Sequence, residues 1–199
     1  MKRKILIIGK KSFIGSSLYR YLSKYFVVRI ISFENFINYS NNLISSFSHI
    51  INSSVHPNYI KKKYNKIYDL DRKIIDKLNN KNINYFYLNS RKIYKSKPNI
   101  SENSETNPIC HYGRNKLITE NYLKKKIGKK LISLRISNVI GKRNFKNYRK
   151  RHDLFLDNFI KIKNERKKTI VENNFKDFIT IEHLCRVIKN LIKKNITGI

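Results

Sequence analysis

Tyr112 and Lys116 lie four residues apart in the stretch NPICHYGRNKLITENYLKKK, residues 107–126, where residues 108–127 read as a helix stopped by Gly128. On a helix such a pair shares one face. A free phenol, with a pKa of about 10, is a poor acid or base at neutral pH. An ammonium beside it stabilises the phenolate and lowers that pKa. The tyrosine can then exchange a proton with a substrate hydroxyl or carbonyl while a hydride moves to or from a nicotinamide. Taken alone, the pair also reads as a packed ring beside a solvated lysine, since the chain holds 13 tyrosines.

Two further clusters bear on the same chemistry. GKKSFIG, residues 9–15, falls between an apolar strand and a helix, where a dinucleotide pyrophosphate meets a helix N-terminus. Gly9 permits a tight turn, Gly15 permits close packing of helix on strand, and Ser12 takes the middle position of a GxxGxxG pattern. Ser90, in YLNSRKIY, stands just past the end of a predicted strand, the edge at which open α/β sheets form their sites. There it can hydrogen-bond a reacting oxygen; by itself it is equally a turn serine.

The elements that must position these groups follow from the apolar pattern. KILIIG (4–9) is a continuous apolar run, as in a strand covered on both faces, and FVVRIIS (26–32) is a β-branched second strand. Between them, residues 12–24 carry Phe13, Ile14, Leu18, Tyr21 and Leu22 at helical spacing. HIIN (49–52), INYFYLN (83–89) and KLISLRIS (130–137) predict three more strands. Residues 59–78 predict one long amphipathic helix, and 180–194 a final one. Beyond Gly141 a basic loop, a helix over 153–163 and a short strand over 169–172 are expected. The alternation predicts an α/β fold with a mainly parallel sheet, and a small C-terminal subdomain after about Gly141 packed on that sheet.

Composition narrows the function classes. Forty-four Lys and Arg against 13 Asp and Glu give a net charge of +31, which points to a polyanionic partner. The chain also lacks Ala, Gln and Trp and is rich in Asn, Ile, Lys, Tyr and Phe, which share AT-rich codons. The lysines are spread through the chain, so codon bias accounts for them better than nucleic-acid binding does. Cys110 and Cys185 form no CxxC, and the five histidines show no metal-ligand spacing, so no metal is expected. The apolar run at the start is too short for a signal peptide or membrane span. A reduced, cytoplasmic setting without membrane attachment is the expectation. Asp69 and Asp71 read as local caps or pairs.

In order along the chain, the glycine turn, the serine after a later strand and Tyr-x-x-x-Lys resemble the short-chain dehydrogenase/reductase superfamily. The finer match is to its extended branch, the NAD-dependent epimerase/dehydratase family acting on nucleotide-sugars. NSRKIYKSKPNISENSETNPICHYGRNKLITE is similar to that family's segment from the catalytic serine through V-Y-G to Y-G-x-S-K-x-x-x-E, with Asn115 in place of the usual serine. RISNVIGKR (135–143) resembles R-x-x-N-V-x-G-P-R, and KDFITIEHLCRVI (176–188) resembles R-D-F-I-x-V-x-D-x-x-x-A-I.

The resemblance implies a role for each matching residue. Tyr112 is the general acid/base, Lys116 tunes it and holds the nicotinamide ribose, and Ser90 positions the substrate oxygen. Gly9, Lys11, Ser12, Phe13, Ile14 and Gly15 line the pyrophosphate, with Ser32 and Ser53 beside the cofactor. Asn138 and Arg143 lie where the family grips its nucleotide-sugar. NAD or NADP is the implied cofactor. Ser32 and Glu34 at the end of the second strand, with Lys10 and Lys11 in the turn, lean toward NADP. The resemblance also implies a homodimer and a Rossmann-type doubly wound parallel sheet over residues 1–140, with a small, abbreviated substrate-binding subdomain over 141–199 packed on it. Only residues 33–48 separate the second strand from HIIN, where the family fits another strand, so an abbreviated sheet edge is expected. The rival from another class is a nucleotide- or RNA-binding protein without catalysis on the same scaffold.

Overall fold

The computed structural model describes residues 3–78, 82–95, 97–141, 164–165 and 177–198. Strands β1 (Lys4–Ile8), β2 (Val27–Ile31), β3 (His49–Asn52), β4 (Asn84–Ser90) and β5 (Leu131–Ile136) form one sheet in the order β2-β1-β3-β4-β5. All four pairings are parallel. The chain moves outward from β1 to β2, then returns past β1 to β3, so the order reverses between β1 and β3. In open sheets that reversal opens the crevice at the strands' carboxyl ends.

Alternate residues of the strands feed two helix layers. On one face Ile5, Ile7, Ile51, Phe86 and Ile132 pack against helices α1 (Phe13–Leu22) and α7 (Ile181–Lys194). On the other, Leu6, Ile8, Ile50, Tyr85 and Tyr87 pack against α2 (Phe33–Ile37), α3 (Asn41–Ser45), α5 (Leu70–Lys77) and α6 (His111–Ile127). Helix α4 (Pro57–Lys61) follows β3 and packs on α6. Two short parallel strands, β6 (Asn138–Ile140) and β7 (Phe178–Thr180), form a separate ribbon.

Three expectations meet the structure in instructive ways. The stretch between β2 and β3 folds into α2 and α3 without a strand, so β2 is the sheet edge and Val27 is 50% exposed. The single helix expected over 59–78 is broken into α4, a 3-10 turn (Lys66–Tyr68) and α5. The reason is local: the Asn65 side chain accepts from the Ile67 N–H and the Asp69 side chain from the Arg72 N–H, each restarting a helix. Helix α7 shares its core with α1 and the sheet, so Leu184, Cys185, Ile188 and Ile192 belong to the same hydrophobic cluster as Ile5 and Ile7. The helix expected at 153–163 and the strand at 169–172 lie outside the described residues.

The amino end of β3 holds a buried histidine in its neutral form. The Ser48 hydroxyl donates to the Lys4 carbonyl (2.9 Å), so its oxygen accepts from His49 Nδ1, leaving Nε2 to accept from Asn84 Nδ2 (3.3 Å). Burial, with Arg3 and Lys130 nearby, pushes the imidazole down to about 4. The unfolded chain therefore binds this proton first, from its ordinary value of about 6.5. Stability is expected to fall as pH drops from about 6.5 to about 4, with no further loss from this group below. Urea midpoints between pH 7.5 and 4 will show the slope, and His49→Leu is expected to flatten that part of the profile. An equal slope in the variant refutes the assignment.

Candidate active site

The glycine turn is drawn tight by backbone bonds. The N–H groups of Gly9 and Lys10 both donate to the Ile31 carbonyl (2.8 and 3.0 Å), joining the turn to the end of β2. Gly9 sits at φ +124°, a conformation open to glycine and rarely to other residues. A Cβ on Gly9 would stand 2.3 Å from Ser53 Oγ, and one on Gly15 2.4 Å from the same atom and 2.5 Å from the Gly9 carbonyl oxygen. Ser53 fills this space while donating to the Ile8 carbonyl (3.0 Å). Ser12 is the N-cap of α1 and accepts from the Gly15 N–H (3.1 Å). Its hydroxyl thus folds back on the helix, which explains a serine at a position where glycine is the pattern.

Ser32 is placed at the end of β2, where it caps α2 by accepting from the Asn35 N–H (3.2 Å). Lys11 is exposed, Phe13 is buried and Ile14 half-buried at the start of α1. This cradle of close backbone, small side chains and a helix N-terminus fits a pyrophosphate. Ser90 ends β4, and its Oγ accepts from the Lys92 N–H (3.2 Å). The first turn of α6 packs directly on the turn after Ser90: a Cβ on Gly113 would lie 2.1 Å from the Lys92 carbonyl oxygen. Gly113→Ala is accordingly expected to cost about 2–3 kcal/mol through overpacking, lowering Tm by roughly 5–10 °C. An unchanged Tm would show that the helix does not rest on this turn.

Tyr112 is half-buried, with its ring 6.5 Å from that of Tyr59 and 5.9 Å from the ammonium groups of both Lys92 and Lys116. Its hydroxyl has no hydrogen-bond partner among the described residues. Lys116 is only 5% exposed. Its Nζ donates to the Leu88 carbonyl (2.9 Å), lies 3.7 Å from Asp71 Oδ2 and sits 4.4 Å over the Tyr87 ring. Two other phenols near this ammonium are already committed. Tyr87 donates to the Lys116 carbonyl, and Tyr59 bonds Thr119, whose own hydroxyl donates to Asp69. Burial pushes both above the ordinary phenol range. Of the three phenols around the ammonium, Tyr112 is the one whose hydroxyl has no partner among the described residues.

The partners of several groups here escaped the sequence. Asp71 does not pair locally: it meets Lys116 on another helix, while Tyr85 and Asn52 donate to its Oδ1 (2.7 and 2.9 Å). Burial pushes its carboxyl above the usual range, against the pull of the Lys116 ammonium. Asn115 is buried and donates to the carbonyls of Tyr59 and Lys62 (2.7 and 2.9 Å), tying α6 to the end of α4, so the usual serine is replaced by a clamp. Glu120, 2% exposed, accepts from Asn89, Ser133 and Arg135. Its spacing from Tyr112 and Lys116 on the same helix face was the available signal. Burial pushes the Glu120 carboxyl up, but the hydrogen bonds from Arg135, Ser133 and Asn89 outweigh it and hold it below the usual carboxylate range.

Asn138 is placed at the start of β6, apart from the Tyr112 cluster in sequence, and its backbone and side-chain N–H groups both donate to the Asp177 carbonyl. Arg143 lies outside the described residues. Arg91, which follows Ser90, is paired with Asp177 (2.7 Å). A cleft of about 260 Å³ between α1 and α7 is lined by none of the site residues. No helix among the described residues is long and apolar enough to cross a membrane.

A parallel sheet whose order reverses beside a glycine turn, with a buried lysine and a half-buried tyrosine on the helix after β4, defines a Rossmann-type dinucleotide fold. The chain belongs to the NAD dependent epimerase/dehydratase family, whose model matches residues 5–198. No curated protein matches the sequence at a significant level. Among solved structures, dTDP-4-dehydrorhamnose reductase of Bacillus anthracis, in complex with NADP, aligns with a TM-score of 0.77 at 16% identity, covering 100% of this chain and 73% of that one. UDP-glucuronic acid 4-epimerase of Bacillus cereus, with UDP-glucuronic acid and NAD, aligns at 0.72 and 20% identity, covering 98% and 75%. UDP-N-acetylglucosamine 4-epimerase of Methanobrevibacter ruminantium aligns at 0.69 and 20%, covering 94% and 72%. At these identities the likeness is one of fold.

Proposed function

We propose that the protein is an NAD(P)-dependent oxidoreductase or isomerase of nucleotide-sugars, a keto-sugar reductase or an epimerase. The observation that carries this reading is the Tyr112 ring 5.9 Å from the buried Lys116 ammonium, its hydroxyl without a partner among the described residues, on a helix packed against the turn after Ser90. Gly9, Lys11, Ser12, Phe13, Ile14 and Gly15 would hold the pyrophosphate, Ser32 at the end of β2 and Ser53 against the glycine turn would flank the cofactor, and Lys116 would meet the nicotinamide ribose. Bound there, the dinucleotide supplies or accepts a hydride at a sugar carbon.

The chain's own groups handle the proton. In reduction, Tyr112 gives its proton to the carbonyl oxygen as that oxygen gains charge, and Ser90 donates a hydrogen bond to the same atom. In oxidation, Tyr112 takes the hydroxyl proton. Epimerisation runs oxidation and then reduction on opposite faces of a transient keto-sugar. A dehydratase needs a further acid/base pair beside Ser90. The next two residues here are the cations Arg91 and Lys92, and Arg91 is already paired with Asp177. Asn138 and Arg143 are assigned to the nucleotide-sugar by the family resemblance.

The test is a titration of NADH and NADPH followed by turnover against a panel of nucleotide-sugars. Saturable binding of one dinucleotide and turnover of a UDP- or dTDP-linked sugar are expected. RNA binding with a steep salt dependence and no dinucleotide affinity would overturn the reading in favour of a nucleic-acid-binding scaffold.

A further inference from the structure

Lys116 is held from beneath by a residue outside every motif that carries the family resemblance. Asp71 stands in the first turn of α5, and its carboxylate is divided between two tasks. Oδ1 accepts from the Tyr85 hydroxyl on β4 and from the Asn52 amide at the end of β3, which pins it to the sheet. Oδ2 faces the Lys116 ammonium at 3.7 Å, with the two side chains 8% and 6% exposed. The ammonium carries three N–H donors. One is taken by the Leu88 carbonyl of β4 (2.9 Å), and Asp71 Oδ2 lies within ion-pair distance.

We propose that Asp71 is a positioning residue for Lys116: with the Leu88 carbonyl it fixes the ammonium at the floor of the crevice, so that the cofactor ribose meets a held cation. The inference rests on the functional reading above, in which Lys116 contacts the dinucleotide. Its physical basis is the cost of burying charge. A lysine on its flexible stem favours water, and an ammonium enclosed by Tyr59, Tyr87 and the strand ends needs a counter-charge to stay there. A buried ion pair adds little to stability over apolar side chains of the same volume. What this pair supplies is a cation at a defined place, held at the Leu88 carbonyl near the Tyr112 ring.

A double-mutant cycle tests it, with Asp71→Asn, Lys116→Met and the two combined. The readouts are Kd for NADH and NADPH by fluorescence titration, and Tm. Asp71→Asn turns an amide toward the ammonium, and it is expected to weaken dinucleotide binding at least tenfold. Lys116→Met is expected to do the same. The double variant is expected to bind within twofold of Lys116→Met alone, because Asp71 acts only through the lysine. It is also expected to melt higher than Asp71→Asn, because the orphaned charge is gone. Binding unchanged in Asp71→Asn, or two losses that multiply in the double variant, would overturn the proposal. If Asp71→Asn does not fold, a folded double variant supports it and an unfolded one overturns it. Failure of the unsubstituted chain to bind either dinucleotide overturns the functional reading and this inference with it.

Discussion

Tyr112→Phe is expected to lower turnover of the nucleotide-sugar by about 10²–10⁴-fold while leaving dinucleotide Kd within about twofold. The substitution removes one oxygen and keeps the ring. Its packing against Tyr59 and beside the ammonium groups of Lys92 and Lys116 is retained, so the fold and the cofactor crevice are undisturbed. The lost function is proton transfer to or from the sugar oxygen, worth about 3–5 kcal/mol of barrier for a well-placed acid or base. The buried phenols of Tyr59 and Tyr87 cannot stand in, because their hydroxyls are committed inside the core and burial holds them protonated. Retention of turnover within tenfold, with normal cofactor binding, would remove Tyr112 from the mechanism. Loss of cofactor binding would show instead that the ring supports the crevice.

The second large effect is one of stability. Glu120→Gln is expected to destabilise the protein by about 3 kcal/mol, on the order of 10 °C in Tm. Glu120 joins three elements: its Oε1 accepts from Asn89 on β4 and Ser133 on β5, and its Oε2 pairs with Arg135 at 2.8 Å. Arg135 in turn donates to the Tyr94 hydroxyl and the Glu102 carbonyl, anchoring the loop after Ser90. Glutamine keeps an acceptor but leaves the guanidinium, whose side chain is 15% exposed, without its counter-charge. Because the folded carboxyl is held below its unfolded value of about 4.3, its contribution is present above that pH and is lost as pH falls through the folded value. Glu120→Gln should therefore lose stability at pH 7 and show a flatter acid limb. Chemical denaturation of both proteins across pH 3–7 measures this, and an unchanged midpoint at pH 7 would mean the network is not holding α6 to the sheet.

Much of the fold was legible in the residues. Continuous apolar runs gave β1 and β3 to within a residue, helical spacing gave α1, α6 and α7, and the glycine at 128, found at φ +48°, ends α6 as its type predicts. The break between α4 and α5 was missed because the apolar period runs unbroken across it, while the interruption comes from side-chain caps at Asn65 and Asp69. Hydrophobic period reports which face is buried, and it is blind to a polar side chain that captures a nearby N–H.

The candidate site divides in the same way. Gly9, Gly15, Ser90, Tyr112 and Lys116 can be picked from the chain because their chemistry depends on residue type and short spacing. That Lys116 turns inward to Leu88 and Asp71, that Asn115 clamps α4, and that Glu120 gathers Asn89, Ser133 and Arg135 depend on groups far apart in sequence. A single sequence with 44 cationic and 13 acidic side chains carries no mark of which acid meets which base. Pairing is decided when the sheet brings β3, β4 and β5 side by side and the helices close over them, because only burial makes one carboxylate worth more to an ammonium than water is.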